Sequence, residues 1–153
     1  MKAILFVCTG NSCRSPMAAG FLKEMLEGKE GVRIDSCGTI FSFFSGPTPQ
    51  AIKIMKEYGI DISSHKTKSL SKDFIDEADL ILVMEKKHRE RVRKLNPEAK
   101  EKTFLLKEFV DDKENLEIRD PIGLSDEVYK KVAEEIKSAL GKVLPKILEY
   151  LRK

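Results

Sequence analysis

The sequence predicts an α/β fold: three layers, with a four-stranded parallel sheet between helices on both faces. Two observations carry this. Residues 4–7, 32–36, 79–84 and 103–106 are short apolar or alternating stretches that read as strands. Segments with apolar residues at helical spacing link them, and helix-linked strands build parallel βαβ units. At 153 residues, 41% hydrophobic and 35% charged, the chain suits one globular core and is expected to form a single domain over residues 1–153.

Each element follows from its residues. Ile4, Leu5, Phe6 and Val7 make a buried first strand that empties into a short polar loop, residues 8–14. Ser15-Pro16 opens a helix, where the missing N–H of proline is no loss. Met17, Phe21, Leu22, Met25 and Leu26 continue it, and Gly28 and Gly31 end it. Val32 to Ser36 alternate as a second strand. Cys37 after it reads as a small buried hydrophobe. Residues 40–49 are apolar yet rich in turn residues, and Phe41, Phe43 and Phe44 there suit either core packing or the aromatic wall of a cleft. Thr48-Pro49 starts a second helix with Ala51, Ile52, Met55 and Tyr58 on its apolar face, stopped by Gly59. Ser71 caps a short helix over 71–78, and residues 79–84 are a third strand. Residues 85–95 form a charged surface helix in which His88 reads as an ordinary polar residue. Residues 103–106 are a fourth strand. Ser125 or Asp126 caps a long helix towards Lys153, with Val128, Val132, Ile136, Leu140, Val143 and Ile147 on one face and Pro145 as a point where it can kink.

The loop between the first strand and first helix carries the chemistry. It lies at the carboxyl end of a strand and the amino end of a helix, where open α/β sheets bind ligands. The small residues Thr9, Gly10 and Ser12 let successive N–H groups, with those of Asn11 and Cys13, curl into a phosphate-binding nest. The helix behind adds its positive end, and Arg14 adds a planar fork for phosphate oxygens. No Gly-Lys-Ser/Thr follows, which excludes a Walker-type nucleotide loop. Cys8 at the mouth turns binding into chemistry. A helix amino end and a neighbouring arginine favour a thiolate, and a thiolate beneath a bound phosphate is a nucleophile aimed at phosphorus.

The run Val-Cys-Thr-Gly-Asn-Ser-Cys-Arg-Ser-Pro over 7–16 resembles, nearly residue for residue, the signature of the low-molecular-weight protein-tyrosine-phosphatase family. The resemblance extends over essentially the whole chain and implies strand order 2-1-3-4. It implies a phosphocysteine mechanism: Cys8 attacks phosphorus, Arg14 clamps the phosphate, and Asp120 in Asp120-Pro121 is the general acid and base. Asn11, Ser15, Ser36 and His65 match family positions that hold the loop in shape. The family's Ser-Ala-Gly-Thr after the second strand reads here as Ser36-Cys37-Gly38-Thr39, with Cys37 replacing the alanine. Cys13 is either a packed small residue or, as in the family, the partner of Cys8 in a reversible protective disulfide.

The substrate is less clear-cut. Family tyrosine phosphatases often carry a large aliphatic residue at position 12 and tyrosines after the Asp-Pro, whereas this chain has Ser12 and Ile122. Those departures resemble the bacterial protein-arginine-phosphatase branch, which has a threonine at that position. A slot walled by Phe43, Phe44 and Ile122 also suits phosphotyrosine, the family's default. A phosphorylated protein is the expected partner, with phosphotyrosine first and phosphoarginine second.

Other classes fare worse. Thioredoxin-coupled arsenate reductases share the fold and loop but need further cysteines, and none follows Cys37. A non-catalytic phosphopeptide-binding module has no need of Cys8, Arg14 and Asp120 together. A thiol redox protein using Cys8 and Cys13 leaves Arg14 and Asp120 without purpose. No cofactor or metal is expected. A dispersed net charge of +3 argues against nucleic acid. No apolar run approaches the ~18 residues of a membrane span, and the start is too short for a signal peptide. Three cysteines, an odd number, do not make a secreted disulfide framework, so a cytoplasmic monomer is the expectation.

Overall fold

The computed structural model describes residues 1–27, 31–40, 44–109 and 115–152. Its core is a four-stranded parallel sheet in the order β2-β1-β3-β4. β1 (Lys2–Cys8) is central, pairing with β2 (Val32–Gly38) on one side and β3 (Leu80–Val83) on the other. β4 (Thr103–Leu105) adds to β3. The chain leaves β1 towards β2 and later returns to its other side, so the end of β1 is a topological switch point with a crevice above it.

Alternation along β1 assigns the two faces. Ile4, Phe6 and Cys8 belong to one core with α1 (Arg14–Met25), α2 (Pro49–Glu57) and α5 (Asp126–Leu151). Leu5 and Val7 belong to the other, with Ile75 of α3 (Lys72–Glu77) and Val92 of α4 (Lys86–Leu95). Both faces are covered, so β3 and, after Lys2, β1 are apolar rather than alternating. Cys37 is fully buried in the second core, and burial pushes its thiol pKa up, as expected of a small hydrophobe.

The helix starts are where the sequence placed them, with small shifts. Thr48 caps α2 by accepting the Ala51 N–H, Ser71 caps α3 by accepting that of Phe74, and Ser125 caps α5 by accepting that of Val128. α1 begins at Arg14 rather than at the Ser-Pro pair, because the Met17 N–H already bonds the Cys13 carbonyl at 3.1 Å. α5 runs unbroken through Pro145, with Leu140, Val143 and Ile147 buried on either side of it. Among the described residues no helix is long and apolar enough to cross a membrane.

Candidate active site

The loop after β1 is held by its carbonyls. Those of Cys8, Thr9 and Ser12 accept the N–H groups of Thr39, Ile40 and Thr48. The β2 end comes so close that a Cβ on Gly38 would lie 2.5 Å from the Thr9 carbonyl oxygen, so only glycine fits there. Asn11 adopts φ +56, a left-handed conformation uncommon outside glycine.

The side chain of Asn11 shows what holds that conformation. Its Oδ1 accepts the Lys68 N–H at 2.9 Å and lies 3.1 Å from His65 Nε2. Its Nδ2 donates to Ser15 Oγ at 2.8 Å and to Ser36 Oγ at 2.9 Å. The Lys68 N–H can only donate, which fixes the amide's orientation and makes His65 Nε2 a donor too. Burial lowers the His65 pKa, keeping the ring neutral. Ser15 Oγ accepts from Asn11 and lies 2.9 Å from Cys8 Sγ, where its hydroxyl can donate to the sulfur. The Asn11 N–H also points at that sulfur, at 3.3 Å. Ser15 Oγ and the Asn11 N–H thus both lie within hydrogen-bonding reach of the Cys8 sulfur.

Arg14 is 1% exposed, and a buried guanidinium must be fully paired. Nη1 donates to Glu85 Oε2 at 2.6 Å and to the Ile118 carbonyl at 2.7 Å. Nη2 donates to Thr9 Oγ1 at 3.2 Å and lies 3.5 Å from Asp120 Oδ2. The other Asp120 oxygen accepts the Ile122 N–H at 3.1 Å, which orients the carboxyl. The fork is thus fixed from one side before any ligand arrives.

These groups share one cavity of about 140 Å³. Cys8, Thr9, Gly10, Ser12, Cys13 and Arg14 form its floor, while Ile40, Phe44, Asp120 and Ile122 form its rim. Of the expected wall, Phe44 and Ile122 stand at the rim, partly exposed, and Phe43 lies outside the described residues, as does Phe41. Ser12 is buried, and among the described residues the one polar contact of its Oγ is a long one of 3.9 Å to Cys13 Sγ. Cys8, Cys13 and Cys37 are all free thiols. Cys13 Sγ packs against Tyr129 Oη at 3.3 Å and Thr48 Oγ1 at 3.7 Å, and burial raises its pKa. A larger, open groove of about 620 Å³ lies beside Lys23, Asp35 and His65, and no cysteine is among its described lining residues. Among the described residues no cluster of His, Cys, Asp and Glu is placed to hold a metal.

Three contributors were missed in the sequence. Glu85 follows the carboxyl end of β3, the edge that faces the site, and that position was the available signal. His88, read as an ordinary residue of a charged helix, is fully buried: Nε2 meets Thr9 Oγ1 at 2.9 Å and Nδ1 accepts the Glu85 N–H at 3.0 Å. It shares a face with Val92 and Leu95 at helical spacing, which is the pattern that marks an inward residue. Tyr129, completely buried on α5, reaches the loop through Cys13 and Thr48.

Several known proteins are similar to this chain over most of its length. The family model for low molecular weight phosphotyrosine protein phosphatase matches residues 3–153. A protein-arginine-phosphatase from Geobacillus stearothermophilus is 39% identical over 146 residues, covering 94% of this chain and 95% of its own. An arsenate reductase from Staphylococcus aureus is 36% identical, covering 92% and 95%. The structure of a tyrosine phosphatase from Escherichia coli K30, in complex with sulphate, superposes with a TM-score of 0.85 at 31% identity, covering 95% of this chain and 98% of that one. The chain belongs to the low-molecular-weight phosphotyrosine protein phosphatase family, a family of phosphatase hydrolases.

Proposed function

We propose that this protein removes phosphoryl groups from proteins through a phosphocysteine formed on Cys8. The observation that carries the reading is the convergence of Cys8, Arg14 and Asp120 on one small cavity. Cys8 Sγ attacks phosphorus in line with the leaving atom. The loop N–H groups and Arg14 stabilise the equatorial oxygens, the electrostatic contribution that dominates phosphoryl transfer. Asp120 protonates the leaving atom and then, as carboxylate, activates the water that hydrolyses the phosphocysteine. Asn11, Ser15, Ser36 and His65 hold the loop and aim two donors at the sulfur. Cys13 contributes packing, and its contacts with Tyr129 and Thr48 support that role over a disulfide with Cys8.

Phosphoarginine is the substrate residue the site supports best. Among the described residues Ser12 Oγ makes only the long contact to Cys13 Sγ, which leaves it for a guanidinium N–H in the cavity. The similarity to a protein-arginine-phosphatase points the same way. Phosphotyrosine is the second reading, favoured by the apolar rim of Ile40, Phe44 and Ile122 and by the similarity to tyrosine phosphatases. Arsenate reduction is disfavoured by the lack of any cysteine after Cys37. Rates on phosphoarginine and phosphotyrosine peptides, measured side by side with Cys8→Ser as control, test this. A phosphoarginine preference that falls in Ser12→Ala supports the first reading. A phosphotyrosine preference untouched by Ser12→Ala replaces it with the second.

A further inference from the structure

We propose that the Thr9 hydroxyl is a fixed hydrogen-bond donor to the bound phosphoryl group, and that His88, from a different layer of the fold, sets its direction. The proposal rests on the phosphatase reading above and adds two residues to it, one touching substrate and one positioning it.

The argument is an accounting of hydrogens. His88 Nδ1 accepts the Glu85 N–H at 3.0 Å, so that nitrogen carries no hydrogen. The ring is neutral: burial and the adjacent Arg14 and Lys87 cations depress its pKa to about 3. Its remaining hydrogen is therefore on Nε2. The groups facing the ring are Thr9, Arg14, Glu85 and Lys87, and the nearest acceptor to Nε2 is Thr9 Oγ1 at 2.9 Å, with Glu85 Oε2 at 3.8 Å. His88 donates to Thr9.

Arg14 Nη2 donates to the same Oγ1 at 3.2 Å, and a guanidinium has no other option. A hydroxyl has two lone pairs and one hydrogen. Both lone pairs of Thr9 are taken, so the hydroxyl can only give its hydrogen to a third group. Among the described residues no third partner bonds it. Thr9 lines the cavity beside Cys8 and Arg14, so the acceptor is a ligand atom there. An oxygen held by Arg14 Nη2 sits next to this hydroxyl, which makes a phosphoryl oxygen the partner. Without His88 the hydroxyl would be free to turn its hydrogen elsewhere. With it, the donor is set before substrate arrives and costs no reorganisation during the reaction.

Thr9→Val, Thr9→Ser, His88→Phe and the Thr9→Val/His88→Phe pair test this in the full chain, against a phosphorylated peptide and against inorganic phosphate as a binding probe. Thr9→Val is expected to lower kcat/KM and to weaken phosphate binding, each by about tenfold, and Thr9→Ser to restore most of both. His88→Phe is expected to lie between wild type and Thr9→Val and to add nothing in the Thr9→Val background, as for two residues acting as one unit. A purely structural role for His88 would instead lower thermal stability equally in both backgrounds and leave the phosphate affinity unchanged. Thr9→Val within about twofold of wild type in both measurements would overturn the proposal. A full additional His88→Phe effect on top of Thr9→Val would overturn the part assigned to His88. Turnover equal in wild type and Cys8→Ser would instead sink the phosphatase reading, while phosphate binding by the Thr9 variants still judges the donor.

Discussion

At the scale of single residues, the site is built by groups that have no freedom left. Asn11 uses both ends of its amide on four partners while holding a left-handed backbone. Asn11→Ala removes all four bonds and leaves Ser15 and Ser36 without their common donor. It is expected to cost about 2 kcal/mol or more in urea unfolding and to lower kcat at least about tenfold by loosening the Ser15 hydroxyl beside Cys8. Arg14→Lys keeps the charge but loses the planar fork that meets Glu85, Ile118 and Thr9 together. A fall in kcat/KM on the order of a hundredfold is expected on a phosphorylated peptide. The Cys8, Arg14 and loop positions could be read from the sequence because their chemistry is local to the seven residues from 8 to 14. Glu85 and His88 were not: they reach the loop across 71 and 79 positions of chain, and nothing in Glu85-Lys86-Lys87-His88 alone says which residue turns inward.

At the scale of elements, the first strand, loop and helix work only because neighbours pin them. The end of β2 supplies Gly38, the two residues after it supply the Thr39 and Ile40 N–H groups, and the cap of α2 supplies the Thr48 N–H. Gly38→Ala would place a methyl 2.5 Å from the Thr9 carbonyl and 2.9 Å from the Asn11 N–H, with backbone on every side. The loop must move, and a shift of that kind is expected to cost catalysis far more than stability. The check is to measure kcat and the thermal midpoint on the same preparation and compare their losses. The helix and strand pattern was readable because apolar period separates the two kinds of element, and caps such as Thr48, Ser71 and Ser125 mark starts by their own chemistry. The α1 start at Arg14 was not, because it depends on the loop's own curl.

At the scale of the whole molecule, burial of polar groups beneath both sides of the loop makes the fold sensitive to acid. His88 titrates near 3 when folded and near its ordinary value of about 6.5 when unfolded. Between those values the unfolded chain binds a proton that the folded one does not. Stability is therefore lost as pH falls from about 6.5 towards 3, and is unaffected by His88 above that window. His65, lowered by burial, acts in the same direction. Urea unfolding at pH 7 and pH 4.5 is expected to show a smaller acid loss in His88→Phe than in wild type, whatever its absolute stability. The parallel sheet order was expected from a resemblance, and the structure has it. How the two faces of β1 divide the core was less visible, since a strand buried on both sides shows no alternation.

The central claim is a covalent phosphoryl group on Cys8, and it can be seen directly. Asp120→Ala is expected to slow hydrolysis of the intermediate, because the proposed role of Asp120 is to activate water. This variant should be mixed with a phosphorylated peptide, quenched in denaturant and mapped by mass spectrometry. One phosphoryl group on the peptide containing Cys8, absent in Cys8→Ser, is the predicted result. Full turnover with no phosphoryl group on Cys8, or turnover undiminished in Cys8→Ser, would contradict the account.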